Sequence, residues 1–74
     1  DGAAKIEGTR IRVMDVVEKY IGLGYSPEEI AKAFGISLAS VHEALSYYYD
    51  HPEEIREDIR RHEDFIEKFR KELS

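Results

Sequence analysis

The chain has 74 residues, which suits one small domain, and a domain of this size buries only a modest core unless a partner subunit adds to it. It contains no cysteine, so disulfides and thiolate metal sites are excluded as sources of stability. Its net charge of −5 argues against indiscriminate nucleic-acid binding, because such binding depends on lysine and arginine that neutralise phosphates.

The first element is predicted between Lys5 and Val13, where apolar and polar residues alternate around Gly8. This pattern predicts a short N-terminal strand with a turn or bulge at the glycine. A single strand needs a partner, and no other segment has a strand pattern. We therefore expect pairing with the same segment of a second chain, in a homodimer, or with residues upstream.

Two short helices are predicted next. Residues 14–23 carry apolar side chains at helical spacing and are followed by glycine. Ser26 has the features of an N-cap, with Glu29 at the capping-box position, so the second helix occupies residues 27–34. Gly35 suits the left-handed conformation that ends a helix.

A third helix follows Ser37, a second N-cap candidate, and the short connection between the two helices predicts a helix-turn-helix. Ala31 is small where the helices cross, and Gly35 permits the turn. Val41 and Leu45 anchor the third helix to the core. The open alternative is that any compact helical hairpin uses such residues.

The last predicted helix starts at Pro52 and extends to about Leu73, a length of roughly 30 Å. Its apolar stripe is longer than the short helices can cover. The stripe consists of Ile55, Ile59, His62, Ile66, Phe69 and Leu73, with Phe65 widening it. The predicted fold is thus all-α: a small helix-turn-helix bundle of three short helices with a short N-terminal strand (residues 1–50) and a long C-terminal amphipathic helix (residues 51–74).

Four blocks of the sequence are specific enough to compare with known families. They are Gly8-Thr9-Arg10-Ile11-Arg12-Val13, Gly24-Tyr25-Ser26-Pro27-Glu28-Glu29-Ile30-Ala31, Val41-His42-Glu43-Ala44-Leu45-Ser46-Tyr47-Tyr48-Tyr49 and Asp50-His51-Pro52-Glu53-Glu54-Ile55. Over about residues 2–56 the chain resembles the bacterial and archaeal family called domain of unknown function 433. Members of that family look like VapB-type antitoxins, often encoded beside a PIN-domain nuclease. The resemblance implies a DNA-binding antitoxin of a toxin–antitoxin system that autoregulates its operon.

A DNA-binding helix-turn-helix places the N-terminal part of its second helix in the major groove. The exposed residues there include no Arg, Lys, Asn or Gln, so we expect little direct base readout. Contacts with DNA phosphates would come from the nearby cations Arg10, Arg12 and Lys32. The alternative is that Arg10 and Arg12 form a solvated strand face. The predicted DNA-binding residues are Thr9, Arg10, Arg12, Lys32, Ser37, Ser40 and His42.

The C-terminal helix is the predicted protein-binding element, since amphipathic helices commonly dock in grooves. In antitoxins of the type that this chain resembles, the C-terminal segment covers the toxin. Here Arg60, Arg61 or Arg70 would neutralise an acidic nuclease site. The predicted partner-binding residues are Ile59, Arg60, Arg61, Phe65, Ile66, Phe69 and Leu73. The alternative is that the stripe packs on its own domain or on a second copy.

Catalysis is not expected, because the sequence has three scattered histidines and neither a phosphate loop nor a nucleophile signature. No cofactor or metal is predicted. Without a signal-peptide pattern or an apolar run of roughly 20 residues, we expect a cytoplasmic protein that does not enter a membrane. Two interpretations remain: an antitoxin-like protein that binds operator DNA and a PIN-domain nuclease, and a dimeric interaction module that binds no DNA.

Overall fold

Four α-helices account for most of residues 2–73, which the computed structural model describes. They are α1 (Val13–Val17), α2 (Pro27–Phe34), α3 (Leu38–Asp50) and α4 (Pro52–Leu73), with a π-helical segment, Glu18–Gly22, directly after α1. No helix within the described range combines the length and apolar character that a membrane crossing requires. The predicted division at residue 50 coincides with the end of α3, while its outer limits, Asp1 and Ser74, lie outside the described residues.

The core is shared by all four helices. Each of them contributes one of the largest fully buried side chains: Val16, Ile30, Val41 and Ile55. Leu45 is buried beside them, which confirms Val41 and Leu45 as the residues that hold α3 to the core. Because a fully buried aliphatic side chain stabilises a fold by about 1.5–3 kcal/mol, these contacts dominate the stability of so small a bundle.

The short connection between α2 and α3 forms with the caps that the sequence predicts, which suits a helix-turn-helix and any other compact helical hairpin. Ser26 Oγ accepts a hydrogen bond from the Glu29 backbone N–H at 3.1 Å, and the Ser26 N–H donates to Glu29 Oε1 at 2.8 Å. Gly35 ends α2 with a φ of 68°, in the left-handed region. Ser37 Oγ then accepts from the Ser40 N–H at 3.1 Å and so caps α3. These bonds satisfy backbone groups that a helix leaves unpaired at its start.

The predicted N-terminal strand is not formed in the described part of the chain. Lys5 and Arg12 instead make a single antiparallel bridge with one another, and Gly8 provides the turn between them at a φ of 76°. The turn at Gly8 was therefore predicted correctly, whereas the extended strand through residues 5–13 was wrong.

Hydrogen bonds inside this segment explain the difference. The Ile6 N–H donates to the Ile11 carbonyl at 2.8 Å, and the Val13 N–H donates to the Ala4 carbonyl at 2.9 Å. Val13 is already the first residue of α1. The alternating apolar residues thus belong to two short arms of one loop, which packs Ile6 into the core. The two arms of the loop hydrogen-bond to each other, so this segment does not require a second chain as its pairing partner.

The first predicted helix also differs from the observed one, since α1 ends at Val17 and the chain continues as a π-helix. The Leu23 N–H donates to the Glu18 carbonyl at 3.1 Å, across five residues instead of the four of an α-helix. This wider turn changes the direction of the following side chains. Ile21, one of the apolar residues at helical spacing in the predicted helix, is 56% exposed, and Leu23 is 64% exposed.

Candidate functional site

The most distinctive surface of the molecule lies on α4, where one apolar face passes from the core into solvent. Near its start, Ile55 is fully buried and Ile59 packs against the core. Further along, the same face is exposed to solvent. We call its last five members, His62, Phe65, Ile66, Phe69 and Leu73, the distal stripe. His62 is half-buried, and the four hydrophobic members range in exposure from 39% for Ile66 to 73% for Leu73.

The distal half of α4 stays helical through interactions along its own length. Arg60 pairs with Glu57 and lies 3.5 Å from Asp64, while Arg70 lies 3.7 Å from Glu67. The hydrogen bond to Glu57 raises the pKa of Arg60 above its ordinary value. Such pairs, three and four residues apart, support an exposed helix. Acidic residues in the first turn and basic residues in the last also suit the helix dipole.

The two arginines predicted to bind a partner are engaged within α4. Arg61 donates to Asp58, whose side chain is buried beneath it. This contact satisfies a buried carboxylate that would otherwise be costly. Arg60 is held by the carboxylates named above. Both charges are therefore compensated within the helix. Of the apolar members of the predicted set, Ile59 packs against the core, and the other four are exposed to solvent.

Two grooves border α4 where it leaves the bundle. A groove of about 530 Å³ lies against the π-helical segment and includes Ile21, Leu23 and Ile59. A second groove, of about 630 Å³, lies on the opposite side and includes His62 and Phe65. The apolar surface thus extends from the distal stripe toward the bundle on both sides of the helix.

Sequence reasoning missed Ile21 and Leu23 as surface residues. Ile21 continues the helical spacing of Val13 and Val17, but it lies in the π-helical segment and is exposed. Leu23, directly after that segment, is exposed as well. The sequence signal that bears on this difference is the pair of glycines at 22 and 24, which weakens a regular helix end.

Several predicted DNA-binding residues have structural roles in the N-terminal loop. The Thr9 hydroxyl donates to the Ile6 carbonyl at 2.9 Å and accepts from the Ile11 N–H at 3.0 Å. The Arg12 guanidinium donates to both carboxylate oxygens of Asp15, at 3.0 and 3.1 Å. These hydrogen bonds stabilise the loop and the start of α1. The charge of Arg12 is compensated by Asp15.

The remaining predicted DNA-binding residues lie around the helix-turn-helix. Ser37 and Ser40 form the α3 cap, and their hydroxyls are 2.9 Å apart. Arg10, Lys32 and His42 are exposed. From residue 26 to 46 the chain carries three glutamates and one lysine, so this surface has an acidic balance. That balance opposes phosphate binding.

The corner between α3 and α4 is fixed by side chains. The Tyr47 hydroxyl donates to Glu54 at 2.8 Å, and this hydrogen bond to a carboxylate raises the pKa of Tyr47. The Tyr47 and His51 rings lie 4.6 Å apart. The corner therefore sets the direction in which α4 leaves the bundle.

Within residues 2–73 there is no group of three or more histidine, aspartate or glutamate side chains arranged to hold a metal ion.

These features define a small, mostly helical protein with a short connection between α2 and α3 and an exposed amphipathic helix. The model of the family described as "Protein of unknown function (DUF433)" matches residues 1–48, so the chain belongs to that family. The match confirms the resemblance seen in the sequence. No curated protein and no solved structure matches the chain.

Proposed function

We propose that this chain is a protein-interaction module whose distal stripe docks against another polypeptide chain. The observation that carries the proposal is the continuation of the buried face of α4 into solvent, from Ile55 inside the core to Phe69 and Leu73 outside it. The bundle covers only the first part of this face. The remainder of the face is also apolar, but no other part of the described chain covers it.

The distal stripe is contiguous as well as apolar. The Phe65 and Phe69 rings are stacked with centroids 6.4 Å apart, and Ile66 lies between them in sequence on the same side of the helix. Contiguous exposed apolar patches mark binding sites more often than scattered apolar residues do. Aromatic side chains supply much of the binding energy in protein interfaces.

Affinity capture after chemical cross-linking in the protein's own cells, which also retains weakly bound partners, tests this proposal, with a tagged and an untagged copy of the full chain produced together. A defined protein, either the untagged copy or a different chain, should be retained by the natural sequence. The double variant Phe65→Ala/Phe69→Ala should lose it. The matched control, Asp64→Ala/Lys68→Ala, changes the opposite side of the same turns without altering net charge and should retain it. Equal retention by all three chains would contradict the proposal.

A second candidate function is that of a DNA-binding antitoxin which autoregulates its operon, with a PIN-domain nuclease as partner. It is supported by the helix-turn-helix geometry, with the exposed start of α3 after the left-handed Gly35, and by the resemblance to antitoxins. Exposed Arg10 and Lys32 would supply phosphate contacts. In that function the distal stripe would cover the nuclease.

Titration of promoter DNA from the chain's own operon at two salt concentrations tests the second candidate. Binding through these cations should weaken as salt rises, and Arg10→Ala should reduce the salt dependence by about one phosphate contact. Glu7→Ala, an exposed change in the same loop, serves as the control. Absence of binding at low salt, with and without a nuclease partner, would eliminate DNA recognition.

A further inference from the structure

We propose that the distal stripe docks on the distal stripe of a second copy of this chain, with the two α4 helices running antiparallel. This inference rests on the proposed function and names the partner.

The spacing suits helix pairing. Ile59, His62, Ile66, Phe69 and Leu73 follow one another at alternating intervals of three and four residues, which is the seam along which two helices interlock. Ile59 packs partly against its own bundle, so the seam available to a partner begins at His62. The available overlap is residues 62–73, about 18 Å of helix.

The charges on one edge of the seam select the direction of the partner helix. Arg56, Glu63 and Arg70 lie seven residues apart along this edge and alternate in sign. A two-fold axis that relates antiparallel helices brings the same edge of both copies together, whereas a parallel pair brings opposite edges together. In the parallel arrangement Glu63 would lie toward the buried Asp58 of the second copy and Arg70 beside its Phe65, so neither charge would gain an opposite partner.

Charge complementarity also selects the register. When Ile66 of one copy lies against Phe69 of the other, His62 faces Leu73, and Glu63 of each copy meets Arg70 of the other in two equivalent ion pairs. Sliding the helices by one heptad toward greater overlap would set Glu63 against Glu63 and Arg56 against Arg70. The alternating edge therefore favours the short overlap.

The side chains are free to make these pairs. Glu63 is exposed, and Arg70 is 73% exposed, with a long contact of 3.7 Å to Glu67 that an intermolecular pair can replace. In the short overlap the two bundles stand at opposite ends of the paired helices, so they do not collide. The contact is smaller than a standard protein interface, and the expected dissociation constant is on the order of 0.1 mM.

Sedimentation equilibrium of the full chain from about 10 μM to about 1 mM tests the inference. Glu63→Arg and Arg70→Glu should each weaken the dimer by about tenfold, because two symmetric attractions become repulsions. The double exchange should restore the natural constant to within about threefold, since it reverses both partners of each pair. The control Asp64→Arg makes the same charge change on the outer side of the helix and should leave dimerisation unaltered.

Three results would overturn the inference, and they are distinguishable. A chain that stays monomeric at 1 mM but still captures a different protein through the distal stripe would reject the second copy as partner while leaving the proposed function in place. A dimer that the double exchange does not restore would reject the antiparallel register. A chain that neither dimerises nor captures any protein would reject the proposed function itself.

Discussion

Two identical substitutions on the same face of α4 should have very different effects on stability. Ile55 is fully buried among the helices, whereas Ile66, three turns further along, is 39% exposed. Replacing each by alanine removes the same atoms from the same helix. The difference between the two variants therefore measures where the core ends and the exposed stripe begins.

The expected magnitudes follow from burial. Truncation of a buried isoleucine to alanine costs about 2–5 kcal/mol, and a chain of this length has a total stability of about 4–11 kcal/mol. Ile55→Ala should therefore lower the melting temperature by at least about 8 °C. Ile66 is partly exposed and is not among the side chains that pack against the core, and its truncation gains helix propensity, so Ile66→Ala should cost less than about 1 kcal/mol.

Thermal melting followed by circular dichroism at about 10 μM measures both variants while self-association is negligible, because association would add its own stabilisation. Equal losses in the two variants would refute the reasoning, since the distal stripe would then belong to the core. A negligible loss in Ile55→Ala would show that α4 does not pack on the bundle as described.

Three further outcomes are expected from the bundle itself. Leu45→Ala should cost about 2–5 kcal/mol in thermal melting, and an unchanged midpoint would contradict its placement in the core. Gly35→Ala, at a left-handed φ with open space around the added methyl group, should cost about 1–2 kcal/mol of backbone strain, whereas Gly35→Asn should cost less. Hydrogen bonds from the backbone N–H and the hydroxyl of Ser26 hold the pKa of Glu29 below its ordinary value of 4.5, so the stabilisation by its charge is complete above pH 4.5 and lost as pH falls through the lower, folded-state pKa. Melting temperatures of the natural chain and Glu29→Gln should therefore converge on acidification, and a gap that is constant with pH would contradict the role of the carboxylate.

The helical part of the fold was predictable because local signals and burial agree there. Ser26 and Ser37 each cap a helix as their position predicts, and Gly35 adopts the left-handed turn. The periodic spacing of Val41 and Leu45 correctly places them in the core. In these segments each backbone requirement is met by residues within a few positions, which is why a single sequence is informative.

The N-terminal region was less predictable. The pattern of apolar and polar residues does not show which backbone groups and side chains will bond to one another there. Alternation in residues 5–13 fits a strand and also fits a loop with two short arms, and the hydrogen bonds of Ile6 and Val13 decide for the loop. For Arg12, the sequence shows a cation but not the carboxylate of Asp15 that compensates it. The exposure of Ile21 likewise depends on the π-helical turn.

For the candidate site, the sequence predicted which residues form the stripe but not how much of it the bundle covers. The boundary depends on the angle at which α4 leaves α3, which the contact of Tyr47 with Glu54 helps to set. The exposure of Phe65 and Phe69 is thus a property of the tertiary structure. Their identity as apolar helix residues is a property of the sequence.

The most direct test of the distal stripe as a docking surface is the NMR spectrum of the chain labelled with ¹³C in its three phenylalanines. Phe65 and Phe69 lie on the stripe, and Phe34 lies in the bundle as an internal reference. When the partner retained in affinity capture is added, or the chain itself is concentrated if that partner is a second copy, the signals of Phe65 and Phe69 should shift while that of Phe34 stays in place. A bound complex in which Phe65 and Phe69 keep their free-chain shifts would contradict the account.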